Sequence, residues 1–417
     1  MNKTIGSSEE FVCRTVLDGG IRVVSERMPS VQSVSVGIWV RAGSADETID
    51  NNGIAHFLEH MLFKGTNRRS AKELAACLES RGGGLNGATG KEVSSYTAQA
   101  LAEDLPIAVD VLADLVQNPR FDPADIELEK GVVLAEMALA QDDPEELAFD
   151  HFYQNLFPKH PLGYFIYGRK ENVRRFQRDD LLSFLQKYYS ADRLVAAAAG
   201  AVDHEQFVRL IADAFAAHWN KGAAVAENGR FLAPAPVSRH RVRNLHQAHI
   251  CMGVRAFGFH DPRKYALAVL DALLGGGMSS RLFQNIREKH GFTYAVYSYA
   301  DLMDQTGVFG AYLACDKNKV DESINLLNRE IDKLKAGEIT EQEIDAAKAQ
   351  VRGNLIMGME SSGRRMKKIG EAELYGEPHL SVEGIVESLN AVSPAAVTEL
   401  VRALFVSENT NITVISP

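Results

Sequence analysis

Asn51-Asn52-Gly53-Ile54-Ala55-His56-Phe57-Leu58-Glu59-His60-Met61-Leu62-Phe63 is the stretch from which the rest of the chain is read. In a helix, positions 56, 59 and 60 fall at i, i+3 and i+4, so two imidazoles and a carboxylate share one face. Imidazoles one turn apart can hold a single Zn²⁺ at about 2.0–2.1 Å, and the carboxylate between them stands ready as a base. Asn51 or Asn52 is the expected cap of this helix.

A catalytic zinc site needs a third protein ligand and leaves the fourth position open. The segment from Phe121 to Met137 reads as a helix opened by Asp122, with Pro123 at its first position. Glu129 and Glu136 lie two turns apart on one face of it, and by spacing alone either could face inward. The order His-x-x-Glu-His reverses the commoner His-Glu-x-x-His and is the inverzincin pattern.

On these residues, the whole chain resembles the pitrilysin-type zinc metallopeptidases. The likeness is to their half-size branch, which includes the β subunit of mitochondrial processing peptidase and bacterial processing-peptidase-like zinc proteases. Glu136, 76 residues after His60, stands where that family has its third ligand. The resemblance thus implies His56, His60 and Glu136 as ligands of one Zn²⁺ per chain and Glu59 as the base. Glu129 matches a second family Glu that supports the site without binding metal.

The run Gly82-Gly83-Gly84-Leu85-Asn86-Gly87-Ala88-Thr89-Gly90-Lys91-Glu92 invites a phosphate-loop reading. That reading fails, because Leu85 stands where the first glycine is needed and Glu92 where the hydroxyl is needed. The resemblance implies instead an edge strand that pairs with substrate backbone. Leu85, Asn86, Gly87, Ala88 and Thr89 would then bind an extended peptide by β-augmentation, with Asn86 touching the substrate. Gly87 and Ala88 replace the family's usual Ala and Tyr, which leaves a more open edge. Further on, the run Gly275 to Glu288 reads as a glycine turn, a Ser cap and a helix. Arg287 and Tyr294 match a family Arg and Tyr, which implies that they bind the substrate carbonyl and stabilise the oxyanion.

A chain of 417 residues is too long for one ordinary core and suggests two domains. The second half repeats the first: Ile339–Lys348 echoes Phe121–Lys130, which puts Asn354 where Glu136 stands. Ser393–Val406 followed by Asn411–Ile415 likewise echoes Asp179–Tyr189 followed by Leu194–Gly200. His-x-x-Glu-His does not recur, so one half alone can hold this metal site. The expected fold is α+β, with two related domains, each a mostly antiparallel sheet with helices packed on it. By resemblance the pair forms one half of a clamshell. The zinc-bearing domain spans residues 1–220, a linker rich in small residues and proline spans 221–236, and a metal-free domain supplying Arg287 and Tyr294 spans 237–417.

A formal net charge of −10 argues against nucleic acid or an anionic membrane as partner. The N-terminus resembles neither a secretory signal nor a transit peptide, and no apolar run reaches the length of a membrane helix, so a cytoplasmic protein is expected. Cys13, Cys77, Cys251 and Cys315 are scattered, which fits reduced thiols. Because longer relatives join two such halves, the resemblance implies a homodimer, or a heterodimer with an inactive paralogue. The function expected is zinc-dependent endopeptidase action on peptides or unfolded segments in a closed chamber. The alternative is a non-catalytic or partner-dependent subunit of a heterodimeric peptidase.

Overall fold

The computed structural model describes residues 12–216, 231–242 and 245–417. The first half runs β1 (Val12–Val16), β2 (Arg22–Arg27), β3 (Ser33–Val40), α1 (Ile54–Leu62), α2 (Ala71–Glu79), β4 (Gly84–Thr89) and β5 (Ser94–Leu101). It continues through α3 (Leu105–Gln117), α4 (Pro123–Asp142), α5 (Pro144–Leu156), α6 (Lys170–Arg175), α7 (Arg178–Tyr188), β6 (Leu194–Gly200) and α8 (His204–Ala214). The second half comprises β7 (Val237–Arg241), β8 (Ala248–Phe257), α9 (Lys264–Gly275), β9 (Thr293–Leu302), β10 (Thr306–Cys315) and α10 (Val320–Ala336). It ends with α11 (Glu341–Gly358), α12 (Ser362–Tyr375), α13 (Val382–Asn390), α14 (Pro394–Leu404) and β11 (Thr410–Ser416).

Among the described residues these strands form two sheets, ordered β1-β2-β6-β3-β5-β4 and β7-β11-β8-β10-β9. Leaving out β1, the two orders correspond strand for strand. In each, one pair is parallel, β2 with β6 and β7 with β11, and the other pairs are antiparallel. The internal repeat is therefore a repeat of topology, and the α+β expectation holds.

Alternation sets the first core. Val34, Val36, Ile38 and Val40 of β3 are buried and face a cluster that contains Phe57, Leu58, Met61 and Leu62 of α1 and Val109 and Leu112 of α3. Removing a side chain such as Phe57 would cost about 3–5 kcal/mol. Val24, Trp39, Val195, Ala197 and Ala199 point to the opposite face, where Met366, Ile369 and Leu374 of α12 cover them. The alanines of β6 let α12 come close.

The compact units are not contiguous in sequence, which corrects the expected boundaries. One unit is residues 1–137, 164–228 and 357–379, and the other is 138–163, 229–356 and 380–417. Each half thus gives one helix to the unit of the other. Helix α12 packs on β2, β3 and β6, and α5 packs on β8 and β11. The physical reason is the burial of each sheet's second face. For the first sheet the outer face is too hydrophobic to leave in water; on the second, Phe149 and Phe152 of α5 meet Tyr297, Tyr299 and Tyr312, and Asn155 donates to Thr413 Oγ1, so in both cases the covering strip comes from the other half of the chain. Of the expected linker 221–236, residues 221–230 lie outside the described residues, and 231–236 form no helix or strand.

Candidate metal centre

Helix α1 buries Ile54, Ala55, Phe57, Leu58, Met61 and Leu62 in the core, while His56, itself buried, shares the other face with the half-buried Glu59 and His60. Its N-terminus is not capped by Asn51 or Asn52. The cap position is Gly53 in a left-handed conformation (φ 101°), where a Cβ would come within 2.7 Å of the Tyr167 carbonyl oxygen. The orphan amides are satisfied from a distance. Glu47 Oε2 accepts from Gly53 N (2.9 Å) and from Asn52 Nδ2 (2.7 Å), and Oε1 accepts from Ala55 N (2.8 Å). Asn51 Oδ1 instead accepts from Thr48 N and Oγ1.

Burial pushes Glu47 up to about 8, opposed by the hydrogen bonds from Ala55, Asn52 and Gly53 and by the charge of Lys91. Each of these donors, left bare in the interior, would cost about 1–3 kcal/mol. Glu47 escaped the sequence reading because it lies in an acidic loop six residues before the cap. The signal that could have found it is a helix start whose own cap is a glycine.

Helix α4 begins as expected, with Asp122 Oδ1 accepting from Ala124 N at 2.9 Å. It presents Glu129 and Glu136 to α1, and the two carboxylates take different nitrogens. Glu136 Oε2 lies 3.3 Å from His60 Nε2 and 3.8 Å from His56 Nε2. Glu129 Oε1 lies 2.7 Å from His60 Nδ1 and its Oε2 lies 2.5 Å from Lys64 Nζ. Candidate ligand atoms of His56, His60 and Glu136 all stand within 4.8 Å of one another. Tetrahedral zinc ligands sit about 3.4 Å apart, so this donor set needs little movement to take the ion. The carboxylate on Nδ1 of His60 fixes the tautomer that leaves Nε2 free, the usual outer support of a metal-binding histidine.

Electrostatics fit that division. Burial, with the neighbouring His60, lowers His56 to about 4, so its imidazole is neutral at pH 7. For His60 burial is outweighed by the Glu129 hydrogen bond and the charges of Glu136, Glu129 and Glu59, and the ring is held above its ordinary value. Glu129 is held low: burial acts upward, but its bonds to His60 and Lys64 prevail. The buried Nδ1 of His56 has no hydrogen-bond partner among the described residues. That ring is flanked by edge contacts with His60 and Tyr167, at 4.6 and 5.0 Å between centroids.

Glu59 sits beside the cluster, raised by burial against the pull of a hydrogen bond from Thr89. Strand β4 closes that side. Among the described residues it is an edge strand, paired to β5 alone, as the resemblance implied. Leu85, Gly87 and Thr89 face α1, while Asn86 and Ala88 are exposed on the other face. A Cβ on Gly87 would stand 2.7 Å from the Phe63 ring and 2.9 Å from Glu59 Oε1, so the strand passes the Glu59 carboxylate at glycine distance.

Arg287 and Tyr294 lie in the second unit and are brought together with each other. Arg287 Nη1 donates to the Tyr294 carbonyl oxygen (2.7 Å), and its guanidinium lies over the rings of Phe283 and Tyr294, at 4.6 and 4.5 Å. The Tyr294 side chain remains 79% exposed. The expected helix here is a π-helix, Phe283–Lys289, and Ser280 Oγ makes no capping bond. Such wide turns recur at functional sites.

Comparison with known proteins agrees with this geometry. Residues 22–170 match the family described as insulinase (peptidase family M16), and residues 175–351 match the peptidase M16 inactive domain. The chain is 38% identical over 400 residues to an uncharacterized zinc protease of Streptomyces coelicolor, covering 94% of this chain and 86% of that one. It is 35% identical to the uncharacterized zinc protease YmxG of Bacillus subtilis, covering 98% of each. Among solved structures, a protease from Helicobacter pylori superposes with a TM-score of 0.90 at 19% identity, covering 98% of this chain and 100% of the other. A peptidase M16 inactive domain from Pseudomonas fluorescens gives 0.89 at 21%, covering 97% and 98%. Identities that low speak for the fold alone, but the sequence relatives carry the assignment further: the chain belongs to peptidase family M16, in its half-size branch.

Proposed function

We propose that the protein is a zinc-dependent endopeptidase acting on peptides or unfolded segments. The observation that carries this reading is the convergence of His56 Nε2, His60 Nε2 and Glu136 Oε2, with Glu59 on the same helix turn as His60. Zinc held there supplies a Lewis acid that polarises a peptide carbonyl and makes a water molecule more acidic. Glu129 holds the His60 tautomer, and Glu59 takes the proton of the attacking water and passes it to the leaving amine. The free edge of β4 holds substrate backbone extended, with Asn86 on the exposed face as a contact. Tyr294 and Arg287 donate to the carbonyl oxygen as charge builds on it.

The same reading includes a cytoplasmic homodimer in which Arg287 and Tyr294 of each protomer act on substrate held at the other protomer's metal site. Among the described residues no helix is long and apolar enough to cross a membrane. A partner-dependent subunit is the second reading, favoured by the family match of residues 175–351 to an inactive domain. The test is cleavage of quenched fluorescent peptides by the purified chain, with a compact folded protein carrying the same sequence alongside. Internal cuts in the free peptides and none in the folded protein are expected. Equal cleavage of both would contradict the enclosed mode of action, and activity appearing only on adding a second, different chain would favour the other reading.

A further inference from the structure

Thr89 was assigned to the substrate strand, but its hydroxyl is turned inward. Thr89 Oγ1 donates to Glu59 Oε2 at 2.6 Å, and the neighbouring inward position of β4 is Gly87, which leaves Glu59 Oε1 clear. One carboxylate oxygen of the base is thus tied to the strand and the other is open. A glutamate has three side-chain torsions, and an untethered one samples several rotamers. Hydrogen bonds to a charged acceptor are among the strong ones, so a single hydroxyl is enough to select one rotamer. The hydroxyl belongs to β4, an edge strand among the described residues and the one that passes beside Glu59 and the His56–His60–Glu136 cluster.

We propose that Thr89 is a positioning residue that ties the base to the substrate-binding strand. It aims Glu59 at the reacting atoms and makes its alignment respond to a peptide paired along β4. This rests on the peptidase reading above. Misplacement of a catalytic group by about 1 Å costs on the order of 10²-fold in rate. Loss of the hydroxyl should therefore appear in kcat, while substrate backbone pairing, and with it KM, is retained.

The experiment compares Thr89→Val, which keeps the shape without the donor, with Thr89→Ser, which keeps the donor. Thr89→Ala takes the place of Thr89→Val if that variant does not fold. The expected results are a kcat about 10–100-fold lower for Thr89→Val with KM changed less than about twofold, and near-full activity for Thr89→Ser. A second readout needs no turnover: denaturant unfolding of the metal-free single and double variants Thr89→Val and Glu59→Ala, each of which removes the hydrogen bond, should show non-additive shifts. An unchanged kcat in Thr89→Val, a Thr89→Ser as impaired as Thr89→Val, or additive unfolding shifts would overturn the inference while leaving the peptidase reading intact. Absence of chelator-sensitive cleavage by the unaltered chain would overturn both.

Discussion

Glu59→Gln is expected to bind metal as the unaltered chain does and to hydrolyse peptides about 10²–10⁴-fold more slowly. The substitution keeps the size of the side chain and an acceptor for the Thr89 hydroxyl, so the packing of α1 is preserved. What is lost is the ability to accept a proton. Glu59 is partly buried, and desolvation raises its affinity for protons, which suits a group that takes and returns a proton. Metal content by elemental analysis and kcat on one quenched peptide check the prediction together. Loss of metal in the variant would move Glu59 into the ligand set. Unchanged turnover would remove it from the mechanism.

Glu136→Ala is expected to weaken metal binding by roughly three orders of magnitude, whereas Glu129→Gln should weaken it by about 10–100-fold. The two residues lie on one helix face and differ in which imidazole nitrogen they meet. Glu136 Oε2 lies within 3.8 Å of both Nε2 atoms, whereas the imidazole nitrogen that Glu129 meets is Nδ1 of His60, its other oxygen pairing with Lys64. On the proposed reading, removing the first takes away a ligand, and changing the second only loosens the orientation of one. Competition with a chromophoric chelator measures both. Equal losses for the two variants would contradict the division of roles.

That division marks how far the sequence alone could reach. The face carrying His56, Glu59 and His60 follows from helical spacing. Glu129 and Glu136 also sit at helical spacing, so spacing could not choose between them; family resemblance named Glu136, and the nitrogens that each meets give the physical ground. Glu47 was invisible because it caps α1 from outside the helix, through tertiary structure. The exchange of α5 and α12 was equally hidden. An amphipathic strip such as Met366, Ile369 and Leu374 announces that it will be buried, but not against which sheet. The topological repeat, by contrast, was legible in the echo of helix and strand around α7–β6 and α14–β11, because both copies must solve the same packing problem. Thr89 was placed on the right strand, with its inward turn left unread, since period-2 alternation cannot say which face meets α1.

The account rests on a metal held by His56, His60 and Glu136 being what makes the chain a peptidase. The direct measurement is the rate of peptide cleavage by the purified chain before chelation, after chelation, and during stepwise return of zinc. Cleavage should vanish with the metal and return in proportion to zinc, reaching its plateau at one equivalent per chain. Cleavage that survives complete removal of metal would contradict the account.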